Sequence, residues 1–162
     1  MIRRVALALA TAILPLTLLV FSVVPASAGT GTPCYQSSCN GLDPTTSYNR
    51  YTGYECNSGA SPVPGGSIAN VYGGTLEMRW GPDCSVNWTR YTVGTHDQSY
   101  VGAHFWISIE SSTGVTSYYH FTGQNGVTYY GNEVYSPGPA TMCLGFDSTG
   151  IPPQPYCWTQ PS

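Results

Sequence analysis

Six cysteines, all of them after residue 33, set the terms on which this chain can fold. They are Cys34, Cys39, Cys56, Cys84, Cys143 and Cys157, and an apolar leader precedes them. The leader opens with Arg3 and Arg4, runs from Val5 to Val24 with one break at Pro15, and closes with Pro25-Ala26-Ser27-Ala28. A short positive start, an apolar stretch and a small-x-small ending form the pattern of a signal peptide. An uncleaved membrane anchor is the competing reading, because the run is about 20 residues long; the internal proline and the Ala-Ser-Ala ending favour cleavage. The adjacent arginines lack the longer context of twin-arginine export. The expectation is a secreted, extracellular protein, with 1–28 as signal peptide, 29–33 as a disordered lead and 34–162 as one disulfide-linked β domain.

In an oxidising compartment the six thiols pair. Spacing leaves the connectivity open. Cys143 with Cys157 is the expected bridge near the C-terminus, and Cys34, Cys39, Cys56 and Cys84 are left to pair among themselves. The interval from Cys34 to Cys39 is also finger-like, but oxidation outweighs metal binding after export, so no cofactor and no metal is expected.

Beyond the leader, Arg50, Arg79 and Arg90 stand against eight carboxylates, and the chain has no lysine. Without a basic patch there is no counterion release to drive nucleic-acid binding. The same argument excludes anionic membrane surfaces. With 13 tyrosines and little charge, the surface draws its polarity from hydroxyls and amides. That suits a neutral partner, either a glycan or another extracellular protein. Assembly state is not encoded in this pattern.

The cysteine-rich segment from Cys34 to Cys56 carries turn signals at Asn40-Gly41 and Asp43-Pro44. Residues Ser58 to Ser67 read as a loop by composition. Alternation then takes over. Thr75 to Trp80 places Leu76, Met78 and Trp80 on one face and Glu77 and Arg79 on the other. Ser85 to Val93 puts Val86 and Trp88 on one side. Gln98 to Glu110 is the clearest strand, with Val101, Ala103, Phe105, Ile107 and Ile109 apolar and Tyr100, His104, Trp106 and Ser108 opposite. Gly123-Gln124-Asn125-Gly126 predicts a hairpin between Val115–Thr122 and Val127–Gly131. Glu133 to Ser136 predicts a short strand and Met142 to Phe146 a last one. No stretch shows sustained helical periodicity. The fold class is all-β: a single small antiparallel sandwich or barrel-like domain stabilised by disulfides.

Two stretches resemble a known family. Cys34-Tyr35-Gln36-Ser37-Ser38-Cys39-Asn40-Gly41-Leu42-Asp43-Pro44 is the first. Leu76-Glu77-Met78-Arg79-Trp80, followed by Cys84-Ser85-Val86-Asn87-Trp88-Thr89-Arg90, is the second. Together they resemble the YjfA-like family of small secreted proteins of actinobacteria and bacilli, through Cys34, Cys39, Gly41, Asp43, Pro44, Leu76, Glu77, Arg79, Cys84, Trp88 and Arg90. The chain departs from it at Leu42 and Trp80, where the family usually carries lysine and tyrosine. The resemblance covers roughly residues 33–91. It implies secretion and a domain boundary, and transfers no activity.

Chemistry-bearing residues are few. Glu77, Arg79 and Arg90 read as an ion pair crossing a hairpin rather than as acid–base machinery. His96, His104 and His120 with Asp97 lack the short spacings of a zinc site. No Gly-x-Ser-x-Gly occurs, and Glu110 with Glu133 could serve glycoside hydrolysis only at a defined separation across a cleft. The candidate ligand contacts are the outward rings: Trp106 beside His104 and Tyr100, with Tyr118 and Tyr130 from the pairs flanking the predicted hairpin. Such a row suits sugar stacking or a protein interface. Trp80 and Trp88 share strand faces with aliphatic residues and are assigned to the core. The leading expectation is a non-catalytic binding module for cell-wall glycan, polysaccharide or a protein. The alternatives are a carboxylate hydrolase, or a protease inhibitor presenting a loop held by a bridge such as Cys39 to Cys56.

Overall fold

A computed structural model of the chain describes residues 31–95, 100–147 and 154–162. In chain order the strands are β1 (Thr32–Cys34), β2 (Ser47–Asn49), β3 (Ser61–Val71), β4 (Gly74–Gly81), β5 (Val86–Thr92), β6 (His104–Glu110), β7 (Thr116–Thr122), β8 (Thr128–Tyr130), β9 (Thr141–Phe146) and β10 (Tyr156–Thr159). One 3-10 turn, Gln36–Cys39, lies between the first two, and no α-helix occurs among the described residues. The chain is all-β.

Two antiparallel four-stranded sheets, ordered β3-β4-β5-β8 and β10-β9-β6-β7, face each other. Period-2 alternation supplies the core between them. Leu76, Met78, Tyr91 and Val93 come from the first sheet, and Phe105, Ile107, Ile109, Phe121, Met142 and Leu144 from the second, all buried. Each such side chain contributes about 1.5–3 kcal/mol by leaving water. This is a sandwich, the first of the two architectures expected. A third, small sheet pairs β1 with β2 in parallel, against the antiparallel default.

The cysteine-rich segment is a cap on the outer face of the first sheet. Its disulfides are Cys34–Cys39 and Cys56–Cys84, while Cys143–Cys157 ties β10 to β9 as expected. The cap buries Val86 and Trp88, which point away from the sandwich core, in a second apolar cluster with four cysteines. Backbone bonds seal it: Gln36 N–H donates to Cys84 O at 2.9 Å, Gly41 N–H to Glu133 O at 2.8 Å, and Glu133 N–H to Leu42 O at 2.7 Å. Cys39 and Cys56 are not joined, so the inhibitor-type loop imagined between them is not built.

The sequence pattern misplaces several elements. Ser58–Ser67, read as a loop, contains the first half of β3. Pro62 and Pro64 are tolerated because β3 is an edge strand and its register slips between Pro62 and Ser67. β3 then turns into β4 through Tyr72 and Gly73, with φ of 47° and 74°. Both central residues at positive φ make a type I′ hairpin. The Gly123–Gly126 turn does not join a hairpin. β7 pairs with β6, whereas β8 pairs with β5 in the opposite sheet. The turn is an arch between sheets, and Phe121 stacks on Tyr129 across the core, ring centroids 4.0 Å apart. Of the strand predicted from Gln98, residues 98 and 99 lie outside the described residues; from Tyr100 onward β6 begins only at His104, because Gly102 sits in a turn at φ 82°. Glu133–Ser136 gives a single bridge, Val134 with Asn87, and β10 follows the strand expected to be last. β1 starts at Thr32, inside the lead expected to be disordered.

Candidate ligand-contact face

The outer face of the second sheet collects the aromatic and polar side chains that the alternation of β6 throws away from the core. His104, Trp106, Ser108 and Glu110 project there, while Phe105, Ile107 and Ile109 go inward. Register then fixes their neighbours. Trp106 lies between His120 on β7 and Gly145 on β9, and Ser108 between Tyr118 and Cys143.

Gly145 shapes the centre of this face. A Cβ there would meet Trp106 Cε2 at 2.5 Å, so the indole lies over the backbone of β9 where no side chain intervenes. The Tyr118 ring meets it edge-on, with centroids 5.7 Å apart at 64°. Tyr118 is 55% exposed and Trp106 partly so. His120 Nδ1 sits 3.0 Å from both carboxylate oxygens of Asp147. Asp147 is itself anchored by its N–H donating to His104 O at 3.0 Å. His104 Nδ1 and Thr122 Oγ1 are 3.2 Å apart. The result is a strip with two edge-to-face rings at the centre, hydrogen-bonding groups around them and a disulfide at the margin.

Of the five rings picked from sequence, the structure brings together Trp106, His104 and Tyr118. It does not bring Tyr100 or Tyr130. Tyr100 packs on Phe146, centroids 5.8 Å apart, and near Tyr72 at 5.9 Å, at one end of the sandwich core. Tyr130 points to the other sheet's outer face, against the cysteine cap. His120 had been grouped with a metal set, of which His96 and Asp97 lie outside the described residues. Asp147 and Gly145 drew no attention in the sequence, since only the strand order β9-β6-β7 places them beside Trp106.

Hydrolytic constellations do not assemble on the described residues. His120 hydrogen-bonds to Asp147 alone among them, so no serine hydroxyl completes a triad there. Glu110 is exposed at the end of β6, while Glu133 is fully buried under the cap, so the two do not face each other across a cleft. Glu77 is paired with Arg90, whose Nε donates to its Oε2 at 2.6 Å, and is 3.9 Å from Arg79. That is the hairpin ion pair expected, half-buried on the covered face.

The cap carries the strongest electrostatic perturbation. Glu133 Oε2 accepts from Ser47 Oγ at 2.9 Å and lies 3.9 Å from Cys34 Sγ, while Oε1 has no partner among the described residues. Burial pushes its carboxyl up to about 8; the Ser47 bond opposes this and the Asp43 charge reinforces it. The sulfurs of Cys34, Cys39, Cys56 and Cys84 lie within 4.8 Å of one another. As two disulfides in contact they have no thiolate to offer a metal.

No family model, curated protein or solved structure matches the chain. The functional reading therefore stands on the chemistry of these residues.

Proposed function

We propose that this chain is a secreted, non-catalytic binding module that holds a neutral glycan of the cell-wall or polysaccharide kind on the outer face of the β10-β9-β6-β7 sheet. The observation that carries the reading is the Trp106 indole laid over Gly145 and flanked by the exposed Tyr118 ring. An exposed ring presents an apolar surface to the C–H face of a sugar. The His104, His120, Asp147 and Thr122 groups around it offer hydrogen bonds to hydroxyls. The strip has no arginine or lysine, which fits a neutral rather than an anionic ligand. Export is supported by the leader pattern of residues 1–28, by three disulfides, and by the YjfA-like motifs. Among the described residues no helix is long and apolar enough to cross a membrane.

The test is co-sedimentation of the oxidised protein with purified cell wall, chitin and cellulose, beside Trp106→Ala. Binding to at least one polymer, weakened in the variant while its circular dichroism stays unchanged, is the expected result. Binding of unchanged strength in Trp106→Ala, or no binding to any polymer, rejects this face as the site.

A further inference from the structure

At the end of the sandwich where β4 stops and β5 starts, the core gives way to a cavity of about 490 Å³. That size is typical of small-ligand sites. Trp80 and Asn87 face each other in register there. They have the same strand parity as Leu76, Met78, Thr89 and Tyr91, so both point between the sheets. Instead of meeting the second sheet, they line the cavity, walled by Pro62 and Pro64 of β3 and by Pro137 and Pro139 of the loop before β9.

Asn87 is the informative residue. It is only 4% exposed. Its main-chain N–H and C=O are both used by Val134, at 2.9 and 2.8 Å. Its side-chain amide and the Trp80 indole both line the cavity, and neither hydrogen-bonds to another described residue. An amide that lines a cavity and makes no hydrogen bond within the protein is free to donate to and accept from a ligand there. Ser61, Ser136 and Gln160 also line the cavity and add hydroxyl and amide groups around the Asn87 side chain.

We infer that this cavity is a second binding site, independent of the Trp106 face, and that it takes one end of a neutral saccharide. Its lining contains no charged side chain, so phosphate, carboxylate and ammonium ligands have no counter-charge. The Asn87 amide sets a donor beside an acceptor, the complement of two neighbouring hydroxyls, each of which donates and accepts. Trp80 adds a flat apolar ring and one donor, and the proline walls add C–H surface. An extended peptide fits less well: it needs a strand edge to pair with, and the ladder of β3 is broken between Pro62 and Ser67.

The experiment is a titration of the oxidised, isotope-labelled protein with soluble chitotetraose, cellotetraose and maltotetraose, followed by two-dimensional NMR. Trp80→Phe assigns the indole signal. At least one sugar is expected to shift the Trp80 indole N–H and the Asn87 side-chain amide, in wild type and in Trp106→Ala alike. Asn87→Ala should weaken that binding about tenfold, with Trp80→Phe as a second variant that preserves packing if Asn87→Ala does not fold. Shifts confined to Trp106 and Tyr118 would overturn the pocket and leave the face intact. No shift at Trp80 and Asn87 with any of the three sugars, or a shift there only with a proline-rich peptide, would also overturn it.

Discussion

On β5 the outward-pointing Val86 and Trp88 are as buried as any core residue, at 0% and 1% exposure. On β6 the outward-pointing His104 and Glu110 are exposed, and Trp106 is only partly covered. Both strands are central in their sheets and both alternate. The difference is what each alternation leaves outside. β5 carries Val86 and Trp88 outside as well as Tyr91 inside, so that part of its outer face needs a cover and receives the disulfide cap. β6 is polar outside except for one indole, so its outer face stays in water. An apolar residue on an outer face thus means two different things. Beside other apolar residues, as with Trp88, it marks a second core. Alone among histidines and hydroxyls, as with Trp106, it marks a surface available to a ligand.

This contrast can be broken most directly by truncating the two tryptophans. Trp88→Ala should cost about 3–5 kcal/mol in a denaturant titration. Trp106→Ala should cost less than about 1.5 kcal/mol, because it opens no cavity in a core. Equal losses would mean that the open face is a structural surface and not a binding one.

Removing the cap's bridge comes next. Cys56→Ser with Cys84→Ser opens a loop of sequence separation 28, and Cys143→Ser with Cys157→Ser one of 14. Each loss should cost about 2–5 kcal/mol, the first more by roughly 0.6 kcal/mol on chain entropy alone. Only the first should unseat the cap and red-shift the fluorescence of Trp88. A red shift of equal size in the second variant would dissolve the distinction between the two faces.

The covered face also titrates differently. The Glu133 carboxyl is raised from 4.5 to about 8 in the folded protein. The native state therefore holds this proton over a window in which the unfolded chain has lost it. The resulting stabilisation is complete below the unfolded value and declines as pH rises towards about 8, by roughly 1.4 kcal/mol per pH unit at most. Glu133→Gln should remove that decline and be relatively more stable than wild type at pH 8 than at pH 5. Parallel pH profiles of thermal unfolding in the two proteins would show that Glu133 does not titrate in this window.

The smallest effect belongs to the open face. Asp147→Asn removes a pair whose histidine side chain is 60% exposed, and should change stability by less than about 1 kcal/mol. Its glycan binding should nevertheless fall, since the substitution alters the rim of the Trp106 strip. A large stability loss with unchanged binding would make the pair structural.

Much of the fold was legible because period-2 alternation is a local property. β4, β5, β7, β9 and the inward set Phe105, Ile107 and Ile109 are all readable from residues within one strand. The Cys143–Cys157 bridge was expected and is built, although spacing alone left the connectivity open. What failed shares one cause. Residues 61–67 looked like a loop because proline and glycine are read by composition, and composition does not reveal that a strand lies on an edge. The Asn125-Gly126 turn looked like a hairpin because a turn signal says nothing about which sheet the next strand joins.

The candidate site divides in the same way. Trp106, His104 and Tyr118 were found by outward parity, which the sequence itself determines. Tyr100 and Tyr130 were lost to packing, one to a ring cluster at the end of the core and one to the cap. His120 beside Asp147, Gly145 beneath Trp106, and Asn87 opposite Trp80 depend on strand order and register. The sequence by itself determined an all-β chain with its disulfide-forming cysteines and the inside and outside of its best strands. Tertiary structure alone decided which outer face is covered, which rings share a surface and where a buried amide is left facing a cavity. The physical reason is that burial alternation acts between neighbours along the chain, whereas strand partners are chosen by contacts between segments far apart in it.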